Sequence, residues 1–154
     1  MTADFELRPQ SMILTYRVDG ADAVKVPEVC NPGRQDGLWQ RTCLEAFVAL
    51  DHEAYIELNF SPCAEWAAYR FDGYRLGMTA LDIPPPSIAP VFGRRILELG
   101  ISIALVELTP LRLGLSAVIE EKDGTKSYWA LRHPPGDKPD FHHPDCFALE
   151  LPPA

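Results

Sequence analysis

Thr42-Cys43-Leu44-Glu45-Ala46-Phe47-Val48-Ala49-Leu50 is followed, after Asp51-His52-Glu53-Ala54, by Tyr55-Ile56-Glu57-Leu58-Asn59-Phe60. Leu44, Ala46, Val48 and Leu50 fall on even positions, and so do Ile56, Leu58 and Phe60. Such alternation marks strands with one buried face, because successive side chains point to opposite sides of a sheet. If both strands bury even positions, paired residues must sum to an even number. The hairpin loop must then hold an odd count of residues, namely Asp51-His52-Glu53. The opposite face carries Cys43, Glu45 and Phe47 on one strand and Tyr55, Glu57 and Asn59 on the other.

Residues 11–18, 65–71, 96–106, 111–121, 126–132 and 146–151 also read as strands, being short, β-branched or aromatic in part and bounded by turn residues. Asp123-Gly124 is a hairpin turn, since Gly accepts the positive φ of tight turns. Fifteen prolines and ten glycines leave no uninterrupted helical period. The expected fold is therefore all-β: an antiparallel β-sandwich of jelly-roll or immunoglobulin-like type, with residues 1–154 as one domain. Residues 27–40, 79–92 and 133–144 read as long connections. The middle one, with Pro84-Pro85-Pro86 and Pro90, is expected to be a stiff cover over a sheet edge.

Ser61-Pro62-Cys63-Ala64 carries Pro at the second position of a turn. Pairing Phe60 with Glu65 sets Trp66 across from Asn59 and Arg70 across from Tyr55, and points Ala67, Tyr69 and Phe71 to the core. The non-core face then gathers Glu45, Phe47, Tyr55, Glu57, Asn59, Trp66, Ala68 and Arg70. One reading is a ligand platform; the other is an ion-pair ladder of Glu45, Glu57 and Arg70 beneath a loop. Gly100, Ser102, Ala104, Gly114 and Ser116 form a face of small residues that admits a close backbone or a flat ligand, opposite core leucines that include Leu111. A two-residue turn at Asp123-Gly124 puts Trp129 on that face, and a bulged turn flips it to the core.

A net charge of −8 with scattered Lys and Arg disfavours nucleic acid and anionic membrane surfaces as partners. The first ten residues lack an apolar run behind a basic start, so a cytoplasmic protein is expected. Cys30, Cys43, Cys63 and Cys146 lie far apart and read as core thiols in a reducing compartment. His142, His143, Asp145 and Cys146 match no standard zinc spacing, and adjacent histidines on an extended chain point apart. No catalytic motif is legible, and Glu45 with Glu57 is a glycosidase-type carboxyl pair in residue type alone.

Asp36-Gly37-Leu38-Trp39-Gln40-Arg41-Thr42-Cys43-Leu44-Glu45-Ala46-Phe47, Tyr55-Ile56-Glu57-Leu58-Asn59-Phe60-Ser61-Pro62 and Trp66-Ala67-Ala68-Tyr69-Arg70-Phe71 together resemble bacterial DOMON-like domain proteins. Ser127-Tyr128-Trp129-Ala130-Leu131 and Pro139-Asp140-Phe141-His142-His143 extend the resemblance over nearly the whole chain. That family is related to the family 9 carbohydrate-binding modules. The resemblance implies a β-sandwich that binds haem or sugars, with sugars held between two tryptophans; Trp66 and Trp129, or Trp39, are the candidates. Haem-binding relatives use an axial Met with His or Lys, whereas Met78 lies in a loop here and the histidines cluster late. The expectation is a non-catalytic module for a carbohydrate or sugar derivative, with no cofactor, acting as a monomer or homodimer. Its ligand-binding residues are Glu45, Tyr55, Glu57, Asn59, Trp66, Arg70 and Trp129. The alternatives are a haem-binding electron-transfer domain and a protein-interaction module.

Overall fold

The computed structural model of the chain describes residues 1–104 and 112–151. Positions 105, 106 and 111, which belong to expected strands and core, lie outside the described residues. The strands are β1 (Thr2–Arg8), β2 (Ser11–Asp19), β3 (Gly33–Arg34), β4 (Cys43–Ala49), β5 (Tyr55–Phe60) and β6 (Glu65–Phe71). They continue as β7 (Thr79–Ala80), β8 (Ser87–Phe92), β9 (Ile96–Ala104), β10 (Arg112–Glu120), β11 (Lys126–Ala130) and β12 (Leu149–Glu150). Four form one sheet in the order β1-β2-β9-β8. The other sheet runs β11-β10-β4-β5-β6-β3, with β12 on β10 and β7 on β6. All pairings among the described residues are antiparallel except β3 with β6. The molecule is an all-β sandwich.

The core lies between the sheets. Met12, Leu14, Tyr16 and Val18 of β2 and Leu97, Leu99, Ile101 and Ile103 of β9 face Leu44, Ala46, Val48, Ile56, Leu58 and Phe60. The β4–β5 register follows the parity argument: Leu44 pairs with Phe60 and Glu45 with Asn59, and Leu50 N–H donates to Ala54 O across residues 51–53. Tyr16 ties the sheets together by donating its hydroxyl to the Glu45 carbonyl at 2.6 Å.

The next hairpin corrects the expected register. Phe60 pairs with Trp66, not Glu65, because Ser61 N–H donates to Glu65 O around a three-residue loop with Ala64 at φ 58°. A type I turn closed by a left-handed residue adds one position, and a one-residue shift exchanges the faces of the whole strand. Trp66 and Ala68 therefore enter the inter-sheet core, and Ala67, Tyr69 and Phe71 join the opposite face. Arg70 shares the parity of Trp66 and is exposed, 4.0 Å from Asp72, so no ladder joins it to Glu45 and Glu57.

Three more expectations are revised. The segment 79–92 contains strands β7 and β8, and Pro90 is tolerated because β8 is an edge, where no outer partner needs its missing N–H. Residues 2–8 form strand β1, and only 149–150 of the expected last strand are extended, since Pro144–Cys146 is a 3-10 turn. Cys30 and Cys63 are not free thiols: they form a disulfide with a Cα–Cα distance of 4.9 Å, while Cys43 and Cys146 are free and buried. No helix among the described residues is long and apolar enough to cross a membrane.

Candidate functional site

The face of the larger sheet turned away from the core is not solvated. Residues 133–147 fold across it, and Phe141, Cys146 and Phe147 pack with Phe47, Tyr55, Tyr69, Phe71 and Val118. Gly114 makes the approach possible: a Cβ there would stand 2.9 Å from the Cys146 carbonyl oxygen. The small residue thus admits a covering backbone, one of the two uses expected of it. Gly100 and Ser102 sit in the other sheet and do not share this face.

Beside the covering segment lies a cavity of about 460 Å³, lined by Glu45, Phe47, Glu57, Phe71 and Val118 from the sheet. Trp39, Arg75, Met78, Tyr128, Pro139, Phe141 and His142 complete it. Trp39 comes from the 3-10 turn Leu38–Gln40 and meets Tyr69 edge-on at 6.2 Å. Tyr69, in turn, donates its hydroxyl to Asp36 at 2.6 Å.

Two carboxyl groups make the floor. Glu45 is 3% exposed and accepts from Ser116 Oγ at 2.9 Å; Glu57 is 5% exposed and accepts from Asn59 Nδ2 at 2.8 Å. Burial, and then repulsion from Glu57, push Glu45 up to about 8 against the Ser116 hydrogen bond. Burial also raises Glu57, although Asn59 and Arg75 favour its charged form. At neutral pH the pair thus carries fewer than two charges.

His142 reaches down from the covering segment. Its Nδ1 lies 2.8 Å from the Tyr55 hydroxyl, which accepts from Arg75 N–H at 3.2 Å. Its Nε2 is 3.7 Å from Glu57 Oε2, an ion-pair distance. Burial, reinforced by Arg75, nevertheless holds His142 down to about 4, so at neutral pH it is a neutral ring beside a carboxyl. A Tyr55 hydroxyl donating to Nδ1, with Nε2–H turned to the Glu57 carboxyl, is the tautomer that suits both neighbours. His142 also packs edge-on against Phe47 and Phe71, each at 5.2 Å. His143 points elsewhere and caps the Pro144–Cys146 turn by accepting from Asp145 N–H at 3.2 Å. Arg75 pairs with Asp140 at 2.8 Å, and Tyr74 donates to the same carboxylate, latching the β6–β7 connection to the cover.

Of the seven expected binding residues, Glu45 and Glu57 line the cavity, and Asn59 lies buried on the same face. Tyr55 supports His142 and stacks on Phe71 at 4.7 Å. Trp66 and Arg70 lie on the opposite side of the sheet. So does Trp129: β10 and β11 pair Val118 with Tyr128 and Ala117 with Trp129 around a three-residue loop with Gly124 at φ 91°. Tyr128 therefore faces the cavity, and Trp129 takes the core parity, 46% exposed at the sheet margin. Sequence reasoning missed Phe71, Arg75, Tyr128 and Phe141 as lining residues; a correct turn length would have found Phe71 and Tyr128.

The fold has a solved counterpart. The chain is similar to a candidate carbohydrate-binding protein of Bacteroides uniformis, with a TM-score of 0.63 and 13% identity over 90% of this chain and 71% of that one. At that identity the likeness is one of fold. No family model matches the chain, and no curated protein matches it in sequence.

Proposed function

We propose that this cavity binds a small ligand, a carbohydrate or sugar derivative, and that the protein is a non-catalytic binding module. The observation that carries the reading is a cavity of about 460 Å³ with a carboxyl floor under the aromatic walls of Trp39, Phe47, Phe71, Tyr128 and Phe141. Sugar rings pack their C–H faces on aromatic rings, while their hydroxyls need polar partners such as carboxyl groups in an otherwise apolar pocket. The fold likeness to a candidate carbohydrate-binding protein supports the same reading, as does the resemblance to DOMON-like domains. Titration calorimetry with monosaccharides and sugar nucleotides tests it. Saturable heat is expected, weakened about tenfold in Trp39→Ala, since aromatic anchors carry a disproportionate share of binding energy. No heat from any sugar would sink the reading.

Met78 and His142 line the same cavity, which brings haem into question for a fold of this kind. The donor set does not fit. His142 Nδ1 is engaged by Tyr55, Nε2 faces the Glu57 carboxyl at 3.7 Å, and two carboxyls occupy the floor where a porphyrin face needs apolar contact.

A further inference from the structure

The floor of the cavity is rich in acceptors and short of donors. Among the described residues, the side-chain donors to the two carboxyl groups are Ser116 Oγ to Glu45 and Asn59 Nδ2 to Glu57. Asn59 Oδ1, wholly buried on the same face, has no hydrogen-bond partner among the described residues. No cation among the described residues makes a hydrogen bond to the floor: Arg75 lines the cavity and its charge favours ionised Glu57, but its guanidinium is held by Asp140 at 2.8 Å, and His142 is neutral. Tyr55 is turned to His142 and Tyr69 to Asp36. Buried carboxylates without a positive partner are costly, which is why Glu45 retains its proton at neutral pH. Around them, the faces of Trp39, Phe47, Phe71, Tyr128 and Phe141 suit a cation as well as a sugar ring.

We propose that the ligand is an amino sugar, whose ammonium group sits against Glu45 and Glu57 while its ring packs on the aromatic walls. The inference rests on the carbohydrate reading and adds the group that distinguishes one sugar class from another. An ammonium supplies three N–H donors and a cation in direct contact with the floor, and each bond to a carboxylate is charge-assisted. N-acetylation removes that charge, and a uronic acid adds a repulsive one.

Calorimetry on the whole chain with glucosamine, glucose, N-acetylglucosamine, glucuronate and cyclohexylamine tests this. Glucosamine should bind about tenfold or more tighter than glucose or N-acetylglucosamine, with glucuronate weakest, the scale expected of one charge-assisted contact. Glu57→Gln should bring glucosamine and glucose to within about twofold of each other, and Glu57→Asp, which keeps the charge but draws it back from the ligand, should weaken glucosamine more than glucose if Glu57→Gln does not fold. Glucose bound as tightly as glucosamine overturns the inference and leaves the sugar reading standing. Cyclohexylamine bound as tightly as glucosamine, with no neutral sugar bound, overturns the sugar reading while supporting ammonium recognition. Silence from all five ligands overturns both.

Discussion

Glu45 and Glu57 stand diagonally across neighbouring strands, Glu45 paired with Asn59 and Glu57 with Phe47, so two carboxyl groups share one buried floor. Burial and this proximity raise Glu45 from 4.5 to about 8, so the fold favours its protonated form. The stability from that preference is complete below about 4.5 and declines as the pH rises to about 8. Glu57, also raised, acts in the same direction. Glu45→Gln has no charge to bury, so the variant should lose most of this decline and gain on the order of a few kcal/mol over wild type near pH 8. Urea unfolding from about pH 5 to about pH 9 measures it; a variant that declines in parallel with wild type would rule the account out.

His142 has the opposite sign. Its folded value is lowered from 6.5 to about 4, so its contribution is intact above 6.5 and is lost as the pH falls through about 4. Between about 4.5 and 6.5 it opposes Glu45, and at more acid pH its loss is joined by that of Asp140, which Tyr74 and Arg75 hold down against its burial. His142→Gln should be less stable at neutral pH, having lost ring contacts with Phe47, Tyr55 and Phe71, yet flatter on the acid side. NMR titration of the His142 ring gives the independent check: a midpoint near the ordinary histidine value contradicts the burial argument.

The sandwich was legible wherever alternation met an unambiguous turn, as in β4 and β5 around residues 51–53. Strand β1 carries the same signal in Ala3, Phe5 and Leu7, which pack toward the core between exposed polar neighbours. The faces of β6 and β11 were not legible, because each hangs on one extra turn residue. Ala64 adopts φ 58° although nothing in its chemistry favours the left-handed region, and Gly124 serves two-residue and three-residue turns alike. The disulfide was hidden for a different reason. Cys30 and Cys63 are 33 residues apart and meet through the pairing of β3 with β6, where two residues on each strand leave little periodic trace. The cavity depends on where 133–147 lies, a long-range packing fact marked in the sequence only by Gly114 and Ser116 inside an otherwise apolar strand.

The Cys30–Cys63 bridge joins residues 33 apart in sequence, closing a loop that holds β3, the Leu38–Gln40 turn, β4 and β5. Closing a loop of this size restricts the unfolded chain and contributes about 2–4 kcal/mol. Cys30→Ser should lower the melting temperature, and a reducing agent should lower wild type to about the same point while leaving the variant unmoved. A wild-type midpoint indifferent to reductant would show that the bridge contributes nothing.

The registers of β5 with β6 and of β10 with β11 decide which aromatic residues face the cavity. Trp66 belongs to the inter-sheet core, 6% exposed, with the Arg34 guanidinium 5.1 Å above its ring. Trp66→Ala should therefore cost about 3–5 kcal/mol of stability, the range for emptying a large buried site, and leave ligand affinity nearly unchanged while the chain is folded. Tyr128 is 44% exposed and lines the cavity, so Tyr128→Ala should cost little stability and weaken sugar binding about tenfold. Trp129→Ala should alter neither quantity appreciably. Unfolding and calorimetry on the three variants decide the matter together. Loss of affinity in Trp66→Ala or Trp129→Ala, with Tyr128→Ala binding normally, would mean that the ligand meets the other face of the sheet, and the two extra turn residues would then be wrongly placed.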